Sequence, residues 1–133
     1  MTTENDEGTL RCMEPAREGV QDELVLFYVT VPTQEVGAEL ARFLVTSRLA
    51  ACVNVLGPLQ SYYEWQGAFE EATEFALLVK TRASLMKRTM DAILEKHPYE
   101  CPAIDVISVK DAPPAFRAWV AQQTTDIKPN SGA

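Results

Sequence analysis

The sequence predicts an α+β sandwich of the ferredoxin-like, split βαβ type, with the order β-α-β-β-α-β and one further helix at the C-terminal end. Three observations predict it. The run Leu24 to Val31 is almost unbroken in apolar residues, as a strand buried on both faces would be. Two segments carry apolar residues at helical spacing, one after Thr33 and one after Ser84. Between them lie two long strand candidates joined by Gln66-Gly67, which read as a hairpin. An antiparallel sheet with both helices on one face accommodates this order, and right-handed crossovers fix the remaining choice of topology.

The first strand stops at Pro32, and Thr33 can cap the helix that follows. In that helix Val36, Leu40, Phe43, Leu44 and Ser47 recur along one face, and Gly37 costs it about 0.5–1 kcal/mol relative to alanine. The outbound arm of the hairpin runs from Ala50 to Leu56 and from Leu59 to Trp65. Gly57-Pro58 interrupts it, which predicts a bulge or bend. The return arm runs from about Ala68 to Thr81, with Phe75, Leu77 and Val79 alternating in period 2. Ser84 can cap the second helix, whose apolar face is Leu85, Met86, Thr89, Met90, Ile93 and Leu94. His97-Pro98 ends it, because a residue before proline is pushed out of the helical region. A last strand spans Ala103 to Val109, and Pro113-Pro114 opens a short helix carrying Phe116, Trp119 and Val120.

The chain of 133 residues suits one domain with a core of its own, and 47% hydrophobic with 23% charged residues is ordinary for a globular protein. Charge is unevenly spread. Residues 1–23 hold seven acids against Arg11 and Arg17, so only −2 of the net −7 belongs to the rest. Residues 1–22 are acidic and aperiodic and read as a disordered tail. Residues 23–127 form the domain, and 128–133 read as a flexible C-terminus. A near-neutral body without a basic stripe argues against nucleic-acid binding. No apolar run is long enough for a membrane span and no signal-like leader is seen, so the expected location is cytoplasmic. Three cysteines, Cys12, Cys52 and Cys101, without a C-x-x-C pair argue against a disulfide framework or a zinc ribbon.

The hairpin outreaches its own domain. About 14 residues per arm at roughly 3.3 Å each give on the order of 45 Å, whereas a body of this size is roughly 34 Å across. The projecting end carries Tyr62, Tyr63, Trp65 and Phe69. Either the hairpin curls over its own sheet, or it lies against neighbouring subunits and pairs their edges. The second covers the aromatic tip more economically.

The same residues carry a family resemblance. Leu49-Ala-Ala-Cys-Val-Asn54, then Ser61, Tyr63-x-Trp65-x-Gly67, Glu74, Lys80-Thr81, His97-Pro-Tyr-Glu100 with Pro102, and Trp119 follow one another over about 100 residues. In that order the chain resembles the CutA divalent-cation-tolerance family from about Leu24 to Thr124. The resemblance implies a homotrimer whose long hairpins pair between subunits, with an architecture similar to PII signalling proteins. It also implies a link to copper and other divalent cations, and no family-wide catalytic reaction. Two positions depart from the pattern. Val29 stands where some members put a copper-associated cysteine, and Lys96-His97 stands where those members have a histidine pair.

His97 is therefore the candidate metal ligand, as the chain's one imidazole, with Cys52 as the second. A complete site must also recruit Cys101, Glu100 or a neighbouring subunit. Each has a plainer role open to it: His97 as a helix-ending residue bonded to a carbonyl, Cys52 as a small buried hydrophobe. Trp65, Lys80, Tyr99 and Glu100 form the candidate interface pocket. Lys80 is expected to pair with Glu100 or Glu74, or to face a small anionic effector. No phosphate loop, G-x-S-x-G or H-E-x-x-H is present and no Ser-His-Asp set can be assigned, so no enzyme activity and no catalytic residue is expected. The two readings left are a metal-responsive trimer and a PII-like scaffold or effector sensor.

Overall fold

The structure, a computed structural model, describes residues 22–125. The acidic tail expected over 1–22 lies outside them except for Asp22, and so does the expected flexible end at 128–133. The elements are β1 (Leu24–Val31), α1 (Gln34–Thr46), β2 (Cys52–Trp65), β3 (Ala68–Arg82), α2 (Met86–Lys96), β4 (Ile104–Ser108) and α3 (Pro114–Gln123). They build one antiparallel sheet in the order β2-β3-β1-β4. This is the expected split βαβ arrangement.

Pleating divides the sheet into two faces. Val25, Phe27, Val29 and Val31 of β1 join Leu77 and Val79 of β3 on one face, where Leu40 and Leu44 of α1 and Ile93 of α2 cover them. Gly37 has a packing reason rather than being a mere flaw, since an added Cβ would stand 3.4 Å from both Leu77 and Val31. The opposite face, with Leu26, Tyr28, Ala76, Leu78 and Lys80, is left open by both helices. Its far end is covered by α3, where Val120 and Phe116, with Ala112 of the preceding loop, pack against Leu24 and Ala51.

Local chemistry explains most element ends. The Val36 amide donates to Thr33 Oγ1 at 3.1 Å, the expected cap of α1. At its other end, Arg48 takes the left-handed conformation (φ 64°), with Arg48 N–H donating to the Val45 carbonyl and Leu49 N–H to that of Leu44. Glycine usually fills this position, so the arginine bears a backbone cost of about 1–2 kcal/mol. The Ala50 amide also closes on the Leu44 carbonyl at 3.1 Å, which is why β2 begins at Cys52 rather than at Ala50.

Ser84 does not cap the second helix. A 3₁₀ turn, Ala83–Leu85, intervenes, and α2 begins at Met86 without a side-chain cap. The Ser84 amide and hydroxyl donate instead to the Asp22 carboxylate, a stronger acceptor. Asp22 is thereby bonded to the end of β3 and the turn that follows it.

The hairpin is as long as expected, with arms of 14 and 15 residues. Gln66 and Gly67 both have positive φ, as a two-residue turn requires. Gly57-Pro58, joined by a cis bond, forms the bulge: Leu56 faces Ala76 but Leu59 faces Glu74. One extra residue in β2 reverses its alternation there. Before the bulge Cys52, Asn54 and Leu56 point to the open face. Beyond it Leu59, Ser61, Tyr63 and Trp65 do.

Candidate functional site

The hairpin leaves the body where β1 ends, and a buried polar cluster forms at that place. α2 stops at His97, whose backbone is extended (ψ 138°) and directs the loop 97–103 around the end of β1 toward β4. His97 is 7% exposed. Its Nε2 lies 2.8 Å from the Thr30 carbonyl, and its Nδ1 accepts the Tyr99 amide at 3.1 Å. A carbonyl only accepts and an amide only donates, so the ring is neutral with its proton on Nε2. Both nitrogens are thereby occupied.

The loop then brings Tyr99 over the open face. Its ring tilts against His97 with centroids 4.7 Å apart, and its hydroxyl donates to Glu74 Oε2 at 2.7 Å. Glu74 is 6% exposed although neither α1 nor α2 covers its face of the sheet. Burial, and next the bond to this carboxylate, push the Tyr99 phenol well above its ordinary pKa, with Tyr63 adding a smaller effect.

The remaining candidates lie apart. Trp65, 44% exposed, sits at the hairpin turn opposite Ala68. Lys80 lies twelve residues further along β3, roughly 40 Å away. The expected Lys80–carboxylate pair is not formed among the described residues. Glu74 is six residues from Lys80 on the same strand, roughly 20 Å away, and is taken by Tyr99. Glu100 is exposed. Lys80 instead holds its ammonium 6.0 Å from the centre of the Phe116 ring.

The proposed metal donors are not brought together in one chain either. Cys52 pairs with Lys80 near one end of the sheet, on the order of 15 Å from the Thr30 carbonyl that holds His97. Cys101 is exposed in the loop after α2. Val29 is fully buried in the core, and Lys96 lies over the Phe43 ring at 4.4 Å. No group of three histidine, cysteine or acidic side chains among the described residues is placed to hold a metal. Within a single chain, then, these residues do not fit a copper or other cation site.

Sequence reasoning singled out Glu74 and Tyr99 separately but not their bond. One signal was available: Glu74 is in phase with Ala76, Leu78 and Lys80, on the face opposite the helix-covered core.

Comparison with known proteins identifies the family of this fold. A family model described as "CutA1 divalent ion tolerance protein" matches residues 25–123. Protein CutA of Mus musculus is 38% identical over 105 residues, covering 79% of this chain and 59% of the mouse protein. The divalent-cation tolerance protein CutA of Archaeoglobus fulgidus is 37% identical over 93 residues, covering 70% of this chain and 90% of its own length. Among solved structures, the crystal structure of the divalent ion tolerance protein CutA1 from Ehrlichia chaffeensis superposes with a TM-score of 0.76 at 31% identity. It covers 80% of this chain and 99% of that one. The match takes in β1, both arms of the long hairpin, the His97–Glu100 loop and α3, so the chain belongs to the CutA1 divalent ion tolerance family.

Proposed function

We propose that the protein acts in divalent-cation tolerance as a cytoplasmic homotrimer whose ligand site is built between subunits. One observation carries this reading: Trp65, Lys80 and the Glu74–Tyr99 pair are tens of ångströms apart along one chain, yet all lie on the face that α1 and α2 leave open. Docking the hairpin of one copy across that face of the next gives them a route to one another. It would also cover Leu56 and Ile107, both close to half exposed on the open face, and Tyr63 beyond the bulge, 44% exposed. Cys52 and Cys101 are free thiols, which supports a reducing compartment. Light scattering of the full chain is expected to give three times 14.8 kDa. Trp65→Ala is expected to shift the protein toward monomer without changing its far-ultraviolet circular dichroism. A wild-type monomer at micromolar concentration removes the reading.

The ligand proposed for this assembly is copper or another divalent cation, on the support of the names its relatives carry. His97 is the chain's one imidazole and would have to give up its Thr30 or Tyr99 bond to serve, completed by Cys52, Cys101, Glu100 or a neighbouring subunit. A second reading has its own support in the engagement of both His97 nitrogens: a PII-like scaffold or sensor that takes a small anionic effector near Lys80, with metal binding incidental. Calorimetric titration of copper(II) into wild type and His97→Ala separates them. Binding that disappears in the variant supports the metal reading. Equal affinity in both removes His97 from the site, and no detectable binding in either supports the effector reading.

A further inference from the structure

The end of the sheet away from the hairpin turn is closed by α3, which has little apolar surface holding it down. Of its ten residues only Val120 is fully buried. Phe116 is half-buried beneath Lys80 and stacks on the exposed Trp119 at 5.9 Å. The last carbonyls of a helix lack partners within it, and here two arginines supply them. Arg48 Nη1 donates to the Gln123 carbonyl at 2.9 Å. Arg82 Nη2 donates to the Thr124 carbonyl and Arg82 Nε to Thr124 Oγ1, both at 2.7 Å.

The same guanidinium reaches the other end of the domain. Arg82 Nη1 donates to Asp22 Oδ2 at 3.1 Å and to Ser84 Oγ at 3.2 Å, and Asp22 in turn accepts from the Ser84 amide and hydroxyl. One side chain in the last position of β3 thus grips the residue entering β1 and the residue leaving α3, sixty and forty-two positions away in sequence.

We infer that α3 is a strap latched by Arg82, and that the latch couples it to the segment entering β1, so that both ends of the domain open together. The physical case rests on where stability comes from. A helix that buries one side chain fully has a low local opening free energy unless polar contacts raise it. A planar guanidinium fork can hold both ends at once, which an ammonium on a flexible stem cannot. A cation at the C-terminal end of α3 also complements its dipole. Opening the strap uncovers Leu24, Ala51 and Lys80 on the open face, without disturbing the core beneath α1 and α2. The inference stands on contacts within one chain and does not depend on the proposed ligand.

Hydrogen exchange followed by mass spectrometry on the full chain tests it. Arg82→Gln is expected to speed exchange in residues 114–124 and 83–85 about tenfold or more, with Phe27–Val31 and Leu77–Val79 unchanged. Arg48→Gln, which removes a bond to the end of α3 only, is expected to loosen residues 83–85 as well as 114–124, because the coupling is reciprocal. Asp22→Ala, which removes a side chain that touches nothing in α3, is expected to loosen α3 as well as residues 83–85. Arg82→Lys, which keeps the charge without the fork, is expected to behave like Arg82→Gln. Unchanged exchange of α3 in Arg82→Gln or in Asp22→Ala overturns the latch or its coupling. Full protection in Arg82→Lys overturns the fork, and equal acceleration of the core strands overturns the strap as a separate unit. Should Arg82→Gln fail to fold, Asp22→Ala still decides the coupling.

Discussion

Gly57→Ala is expected to lower the stability of the domain by about 2–4 kcal/mol. Gly57 has φ +137°, a region that residues with a Cβ rarely enter. A methyl group built there would stand 2.7 Å from the Phe75 ring and 3.2 Å from the Glu74 carbonyl oxygen. The ring has little room to move, because Phe75 packs against the main core, and the carbonyl belongs to the paired strand. The bulge also sets the phase of everything beyond it, including Tyr63 and Trp65 on the open face. Relief of the clash by removing the bulge would turn those aromatics to the other face. Urea unfolding is the measurement: the midpoint should fall with the slope unchanged. A midpoint equal to wild type would show that the bulge relaxes without cost.

Tyr99→Phe is expected to cost about 1.5–3 kcal/mol at neutral pH, as the loss of a hydrogen bond to a charged group. The Glu74 carboxylate is nearly inaccessible to water and would lose the hydroxyl that now donates to it. The pH dependence gives a second readout. Because the folded state raises the Tyr99 pKa, the stabilisation is fully present below the ordinary phenol value near 10. It is lost as pH rises toward the higher folded value, because the unfolded chain releases the proton first. The gap in stability between wild type and Tyr99→Phe should therefore be constant up to about pH 10 and narrow above it. A gap that stays constant at higher pH would show that the phenol is not linked to folding. Both substitutions probe the place where the hairpin leaves the body.

The sequence was informative wherever a feature depends on neighbours along the chain. The bounds of β1, the Thr33 cap, the stop of α2 at His97 before proline, the bulge at Gly57-Pro58 and the Gln66-Gly67 turn are all local backbone chemistry. So is the face each strand residue takes, because alternation has a fixed period of two. Family membership was legible for a related reason, since its motif residues keep their order along the chain.

Partners were decided only by the tertiary structure. Lys80 looked like half of an ion pair and lies over Phe116. Glu74 looked like its partner and accepts from Tyr99. Ser84 looked like a cap and bonds Asp22, while Arg82 joins both ends of the domain. Each of these contacts except the local Arg82–Ser84 bond spans 25 or more residues. Periodicity states which way a side chain points, but which of several compatible groups it meets depends on how far each strand extends and where each loop returns. For Cys52 and His97 that decision was distance. Both are donors by type, but they stand at different places along the sheet, because strand rise and strand spacing, not residue chemistry, set how far apart they lie.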